Sequence, residues 1–378
     1  MYDYLIVGGG PAGLYTAKRL EEKYKQNKNL SILLLEQSSR LGGRTCQEYF
    51  HSRLVVTGAG VGRYPKDKIL YRLVKSIVPD GNIPVLSQNI CFQSPHPVDT
   101  MIYINALRSK REWIMKNRSR LTFRQLFLSF FSRAQYRSFC DSNGYTDFQH
   151  ADMIDTLDDY GFEDNLPGRS YFRVPWNALI RHLKKSLRRT TVVLNTRVSG
   201  FTRSGPVLHV ATNNGKIYET RNIVFAGSVS NYPYTSVRRE IGYNTFLRMY
   251  VLFEKNEHVY KDTYYTGDTF QKIIRLSPRI YMLSYSDGTN ARRVNAMTKQ
   301  EIEKRIGRSI VDLHKFFWRV GTHFYKPLNT QLYKDRDEFI IYAQHPEPNV
   351  FLVGEVISKN QGWTEGAFES VEKILALL

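Results

Sequence analysis

The chain opens on an apolar strand that runs straight into a glycine-rich turn. Tyr2-Asp3-Tyr4-Leu5-Ile6-Val7 leads into Gly8-Gly9-Gly10-Pro11-Ala12-Gly13, and a helical stretch follows from Leu14 to Lys25. A second apolar strand, Ser31 to Leu35, ends on Glu36-Gln37. Each glycine of this fingerprint has a separate task. Gly8 permits the tight strand-to-helix turn, Gly10 lets the backbone approach a pyrophosphate, and Gly13 lets helix and strand pack closely. The helix N-terminus offers free N–H groups and a positive dipole end to phosphate. Glu36 follows Gly13 by roughly 20 residues, at a strand end, where a carboxylate accepts from ribose hydroxyls. The order predicts a dinucleotide-binding βαβ unit.

At 378 residues the chain has enough material for two lobes around large cores. Its 42% hydrophobic and 24% charged residues exclude a disordered chain. No run of about 18 apolar residues occurs, so no membrane-spanning helix is expected. The first strand begins at Tyr2, which leaves no room for a leader and predicts a cytoplasmic protein. Cys46, Cys91 and Cys140 are odd in number and widely spaced; they fit a reducing compartment and form no metal motif.

Further along, residues 65–185 read as mainly helical. Leu121 to Phe131 carries apolar residues at helical spacing, and Trp176 to Leu187 starts a helix after Pro175. Thr191 to Leu194 is a short strand, and Asn213-Asn214-Gly215 between Val207–Val210 and Lys216–Tyr218 is a hairpin signature. Asn222 to Gly227, Phe246 to Phe253 and Arg279 to Tyr285 read as strands, Thr298 to Phe317 as a helix, Val350 to Glu355 as a last strand and Gly366 to Leu378 as a last helix. The expected fold is α/β: a Rossmann-like domain from 1–75, 188–230 and 335–378, interleaved with an α+β substrate domain of antiparallel sheet plus helices from 76–187 and 231–334.

Five places along the chain resemble the flavin-containing amine oxidase family, which includes monoamine, polyamine and L-amino-acid oxidases. They are the Gly8–Gly13 fingerprint with Glu36; Arg40 with Gly42-Gly43-Arg44; Gly60-Val61-Gly62-Arg63-Tyr64-Pro65; Asn195-Thr196-Arg197-Val198 with Ile223 to Gly227; and Phe351 to Glu355 with Gly362-Trp363-Thr364-Glu365-Gly366-Ala367. Two compact segments, Gly144 to Phe148 and Gly321 to Leu328, look like short amine oxidases of large DNA viruses, which sets a virion beside the cytoplasm as a location. The resemblance implies FAD and hydride transfer from the amine-bearing carbon to flavin N5. It also implies release of an imine and reoxidation of the flavin by O2 to H2O2. It implies FAD contacts from Gly8, Gly10, Pro11, Ala12, Gly13, Glu36, Gln37, Arg40, Gly43, Arg44, Gly60, Val61, Gly62, Arg63, Val198, Gly227, Gly354, Glu355, Gly362, Trp363, Thr364 and Ala367. Trp363 and Tyr333 would be the two cage aromatics, and Arg63 would hold a substrate carboxylate. Core aromatics, and an arginine paired with flavin phosphate or a structural acid, are the rival readings of those three residues. Leu332 stands where monoamine oxidase carries its flavin-linking cysteine, so FAD is expected to be non-covalent. Arg248 stands where many members place a lysine that holds water against flavin N5, and arginine cannot deprotonate.

The charge is the unusual property: 54 basic against 35 acidic residues give +19. From Arg108 to Arg137, nine basic residues face a single nearby acid, Glu112. A polyanion-binding surface, for nucleic acid or an anionic membrane, is one reading, and a solvated helical face is the other. The substrate expectation is a small amine or L-amino acid with O2. The rivals are a flavin-binding structural protein without turnover and a desaturase-type flavin oxidase.

Overall fold

The computed structural model describes residues 1–92, 97–117, 121–258, 260 and 262–378. Strand Tyr2–Val7 lies inside a seven-stranded sheet, paired in parallel with Ile32–Leu35 on one side and Ile217–Phe225 on the other. Its apolar run explains that place: Leu5 and Ile6 are wholly buried on opposite faces, which only an internal strand with both faces covered allows. Thr190–Val193 extends the parallel set beyond Ile32–Leu35, and Val350–Leu352 adds in parallel to Ile217–Phe225. Val198–Ser204 and Val207–Thr212 complete it as an antiparallel ribbon turned at Gly205 with φ +57°, and Gly215 at φ +77° turns the chain from that ribbon into Ile217–Phe225. Leu14, Leu20, Trp176, Leu183, Phe368 and Ile374, from helices Pro11–Lys23, Trp176–Ser186 and Thr364–Ile374, bury one face of this sheet. Phe339 and Ile340, from helix Arg336–Gln344, bury the other.

The second sheet has six strands in the order Ile310–Tyr325, Ile241–Phe253, Ile280–Asp287, Lys272–Arg275, Thr263–Tyr265, Ile90–Phe92. All neighbours are antiparallel except the last pair. Leu247, Met249 and Leu283 bury one face against Ala291 and Val294 of helix Gly288–Ala296. Arg248 alternates with Leu247 and Met249 and so points the other way, into a cavity; Tyr285 lies opposite Arg248 in register and shares that face, because the register shifts between Met249 and Tyr250.

One expected element is wrong. The helix read over Thr298 to Phe317 stops at Ile306: helix Lys299–Ile306 opens on a Thr298/Glu301 capping box and closes on Gly307 at φ +66°. The chain then runs as the 16-residue strand Ile310–Tyr325, paired along Ile241–Phe253. Ile310, Val311, Phe316, Phe317, Trp318 and Val320 are β-branched or aromatic, and pairing with a long neighbour turns that preference into a strand.

Helices Thr100–Arg108, Phe123–Phe130, Arg133–Asn143 and Met153–Asp159 gather around Phe123, Phe127, Phe139, Phe148 and Phe162. Thr122 and Ser132 start two of them with capping boxes. In the basic stretch Arg108 pairs with Glu163 and Arg111 with Asp158, while Arg118 and Arg120 lie outside the described residues. Among the described residues no helix is long and apolar enough to cross a membrane.

Gly13 carries a direct test of this architecture. A Cβ there would lie 1.9 Å from the Gly8 carbonyl oxygen, a contact that only backbone movement relieves. Gly13→Ala is expected to lower the unfolding free energy by about 1–3 kcal/mol despite alanine's better helix propensity. Urea unfolding checks this; an unchanged midpoint would show that helix and strand are not so closely packed.

Candidate functional site

A single cavity of about 1200 Å³ runs from the Gly8–Ala12 turn to the inward face of the second sheet. Gly8 makes the turn at φ +111°, with the Ala226 carbonyl 3.0 Å from where a Cβ would stand. Gly10 has nothing within 4 Å of its Cβ position, so backbone is open to a ligand there. No side chain caps helix Pro11–Lys23, and its first N–H groups stay available. The Glu36 carboxylate accepts from the Gly9 N–H at 2.7 Å and the Ser38 N–H at 2.9 Å, fixed beside the turn. Helix Thr364–Ile374 is also uncapped by a side chain, with Trp363 at its cap position, and it opens onto the same cavity. Two uncapped helix starts on one cavity fit a dinucleotide carrying a second polar ring system.

All the cofactor residues expected above line this cavity except Gly13, Arg40 and Gly62. Gly13 acts through packing. A Cβ on Gly62 would meet the Phe172 ring at 2.1 Å, so Gly62 is a packing glycine of its strand. Arg40 is exposed and donates to the Gly43 carbonyl at 3.2 Å, bracing the turn from outside.

A charge knot, with Glu355 and His323 buried and Arg44 half-buried, joins distant parts of the chain at the cavity wall. Arg44 Nη2 donates to Glu355 Oε1 at 2.7 Å, and Arg44 Nη1 to the Gly321 carbonyl at 2.6 Å. His323 Nδ1 meets the same Glu355 oxygen at 2.5 Å, and the Gly362 N–H donates to Glu355 Oε2 at 2.9 Å. Burial alone would push the Glu355 carboxyl up; the charges of His323 and Arg44 instead hold it well below the usual range.

Trp363 lines the cavity, and its indole is locked from behind. Its Nε1 donates to Asp67 Oδ2 at 2.6 Å, and the Arg63 guanidinium covers the ring at 5.6 Å. This corrects the carboxylate role expected for Arg63. Its Nε and Nη2 donate to Asp67 Oδ1 at 2.9 and 2.7 Å, Nη2 also donates to Asn360 Oδ1 at 2.9 Å, and Nη1 reaches Asp164 at 3.3 Å. Two structural acids already take the fork that a substrate carboxylate would need, so Arg63 positions Trp363.

Tyr333 is not a cage residue. It is 8% exposed and packs on Phe339 and Tyr342, at 5.1 and 5.8 Å between centroids, outside the cavity lining. The resemblance does not carry over at this position: the loop between Ile310–Tyr325 and Arg336–Gln344 turns Tyr333 into the core under the first sheet. Phe246, Tyr285 and Trp318 supply the aromatic surface instead. Trp318 is fixed by donating from Nε1 to the Thr57 carbonyl at 2.7 Å.

Arg248 lies at the cavity wall, 2% exposed. Its Nε donates to the Gly58 carbonyl at 2.7 Å and its Cζ stacks 4.0 Å from the Tyr285 centroid. A Cβ on Gly60 would come within 2.9 Å of Nη2, so the glycine makes room for the guanidinium. That Nη2 is buried without a hydrogen-bond partner, a donor left for something in the cavity. Lys272, 3% exposed on the neighbouring wall, had no signal in the sequence: Lys272-Ile273-Ile274-Arg275 reads as an ordinary edge segment.

The Glu355 knot predicts a pH dependence. A carboxylate whose folded pKa is depressed stabilises fully above its unfolded pKa of about 4.3 and loses that contribution as pH falls below it. Glu355→Gln is expected to cost about 3 kcal/mol at neutral pH, because it strands buried partners. It should also make the acid-side loss of stability shallower than in the parent. Urea midpoints measured from neutral to acidic pH check both; parallel curves would contradict the assignment.

Comparisons with known proteins agree with this fold. Residues 6–63 match the model of the NAD(P)-binding Rossmann-like domain, and residues 105–372 match that of the flavin containing amine oxidoreductase family. Wild-type putrescine oxidase bound to putrescine superposes with a TM-score of 0.75 at 12% identity, over 99% of this chain and 98% of that one. A putative protoporphyrinogen oxidase from Exiguobacterium sp. 255-15 gives 0.72 at 12% identity, over 100% and 98%. At such identity the likeness is one of fold. The uncharacterized protein R188 of Acanthamoeba polyphaga mimivirus is 34% identical over 84 residues, which is 22% of this chain and only 16% of that protein's length. The family match spans more than half of the chain, and the chain belongs to the flavin containing amine oxidoreductase family.

Proposed function

We propose that the protein is an FAD-dependent oxidase of small amines that binds its flavin non-covalently. The observation that carries this reading is Trp363: one anchored indole stands at an uncapped helix start, in the same cavity as the dinucleotide turn and the aromatic wall of the second sheet. When bound, FAD supplies a two-electron acceptor that takes a hydride from the amine-bearing carbon and is reoxidised by O2 to H2O2. The chain supplies binding and polarity. The helix starts at Pro11 and Thr364 and the Arg44 side chain offer donors for phosphate and ribityl oxygens, and Glu36 an acceptor for ribose. Asp67 and Arg63 hold the Trp363 ring, while Phe246, Tyr285 and Trp318 exclude water, which favours the neutral amine that reacts. Arg248 Nη2, buried without a partner, is a donor free for an acceptor in the cavity.

Non-covalent binding is supported by the lining: among the described residues no cysteine or histidine borders the cavity. Amines without a carboxylate fit better than L-amino acids, because the Arg63 fork is committed to Asp67 and Asp164. A flavoprotein without turnover is the second reading. Arg248 favours it, since a permanent cation stands near the place where an amine must shed its charge.

A peroxide-coupled screen of monoamines and L-amino acids tests the reading, together with acid precipitation of the holoprotein. Monoamines are expected to yield peroxide, and acid to release all of the flavin. Arg63→Ala is expected to lower kcat on every substrate by about tenfold or more, through loss of Trp363 order, with no selective rise in KM for amino acids. A KM effect confined to amino acids would restore the carboxylate role, and flavin retained in the precipitate would refute non-covalent binding.

A further inference from the structure

The second sheet carries a cation box that the amine reading does not use. Tyr145, Tyr265 and Tyr285 present three rings to one point, and the Lys272 amine fills it: Nζ lies 3.1, 4.6 and 5.5 Å from their centroids. The strand register brings Lys272 opposite Tyr265. The lysine stem passes Gly144, where a Cβ would stand 2.6 Å from Lys272 Cε, so glycine at φ +68° is what lets it through. Beyond the rings are two buried acids with donors of their own. Asp287 accepts from the Thr146 N–H at 2.9 Å, from the Thr146 hydroxyl and from Gln271 Nε2, and Asp147 accepts from the Tyr160 hydroxyl at 2.6 Å. Among the described residues neither acid forms a salt bridge with Lys272. Arg248 also stands against Tyr285, its Cζ 4.0 Å from the ring centroid. Lys272, the three box tyrosines and both acids border the same cavity as Trp363.

Three electron-rich rings backed by two carboxylates are the surroundings that bind an alkylammonium ion. Here the chain delivers such a group from within. We propose that Lys272 is an internal occupant of this box and sets specificity: it takes the place that the second ammonium of a diamine would take, and restricts the substrate to amines with an uncharged tail. Space alone gives this result, since the lysine stem and amine fill the box in either protonation state. Charge adds to it. Burial pulls the Lys272 amine well below its usual range while Asp287 and Asp147 oppose that pull, and the nearby Arg248 guanidinium repels a second cation. The proposal rests on the amine-oxidase reading for its activity readout but not for its binding readout.

The test compares n-butylamine with butane-1,4-diamine on the holoprotein and on Lys272→Ala and Lys272→Met. The parent is expected to favour the monoamine in kcat/KM by tenfold or more. Lys272→Ala should shift that ratio toward the diamine by at least tenfold, and Lys272→Met, which keeps the stem but not the charge, should shift it less. The binding arm uses tetramethylammonium, which has no lone pair to oxidise. It is expected to raise the melting temperature of Lys272→Ala and to leave the parent unmoved. A parent that oxidises both amines equally, or variants with an unchanged ratio, would overturn the proposal. If no amine reduces the flavin in any of the three proteins, the amine-oxidase reading fails by itself and the melting shift decides the box: a shift confined to Lys272→Ala supports it, and no shift overturns it.

Discussion

The contact on which the rest of the site depends is the buried meeting of Arg44, Glu355 and His323. It ties the turn after the second strand of the dinucleotide unit to the last strand and to the long strand of the second sheet. These three chain regions are far apart in sequence, and each contributes one wall of the cavity. Glu355 also takes the Gly362 N–H, which sets the approach to Trp363 and the helix start behind it. A buried carboxylate is tolerable because two basic groups and a backbone donor surround it. Without that arrangement the two sheets would lose the charged contact that sets their walls against each other.

The cavity then divides by chemistry. Its dinucleotide side is built of backbone: positive-φ glycine, open N–H groups and two helix starts. Its second-sheet side is built of side chains, a face of aromatic rings, Arg248 and Lys272. The first kind of surface suits a large, invariant, negatively charged cofactor. The second can be altered residue by residue without disturbing the cofactor, because alternate residues of the same strands pack the opposite core. Specificity is accordingly sought on the second sheet and not on the Gly-Gly-Arg turn.

What could be read from the sequence follows the same division. Gly8, Gly10, Gly13 and Glu36 form a local pattern whose spacing encodes its geometry, and the strand-to-helix unit stands where that pattern puts it. The closing segment from Val350 to Ala367 was legible for the same reason. The second sheet was not. Lys299–Ile306 is helical with a proper cap, and the aromatic-rich stretch behind it continues an amphipathic pattern that only pairing with Ile241–Phe253 converts into a strand. Tyr333 rests on the resemblance alone, and the loop before Arg336–Gln344 turns its ring into the core instead. Arg63 stands at the right cavity but with other partners: Asp67, four residues on, takes most of its fork, and the remote Asp164 takes the rest. Lys272 carried no signal: its neighbours are Ile273 and Ile274, and the rings around it come from three other segments.

The most direct measurement of the central claim, that one cavity holds both flavin and a reacting amine, is anaerobic mixing of the purified holoprotein with a simple monoamine while the visible flavin band is followed. The account predicts a bound flavin whose band bleaches and returns when O2 is admitted. A protein that binds no flavin, or a bound flavin that no amine bleaches, would contradict it.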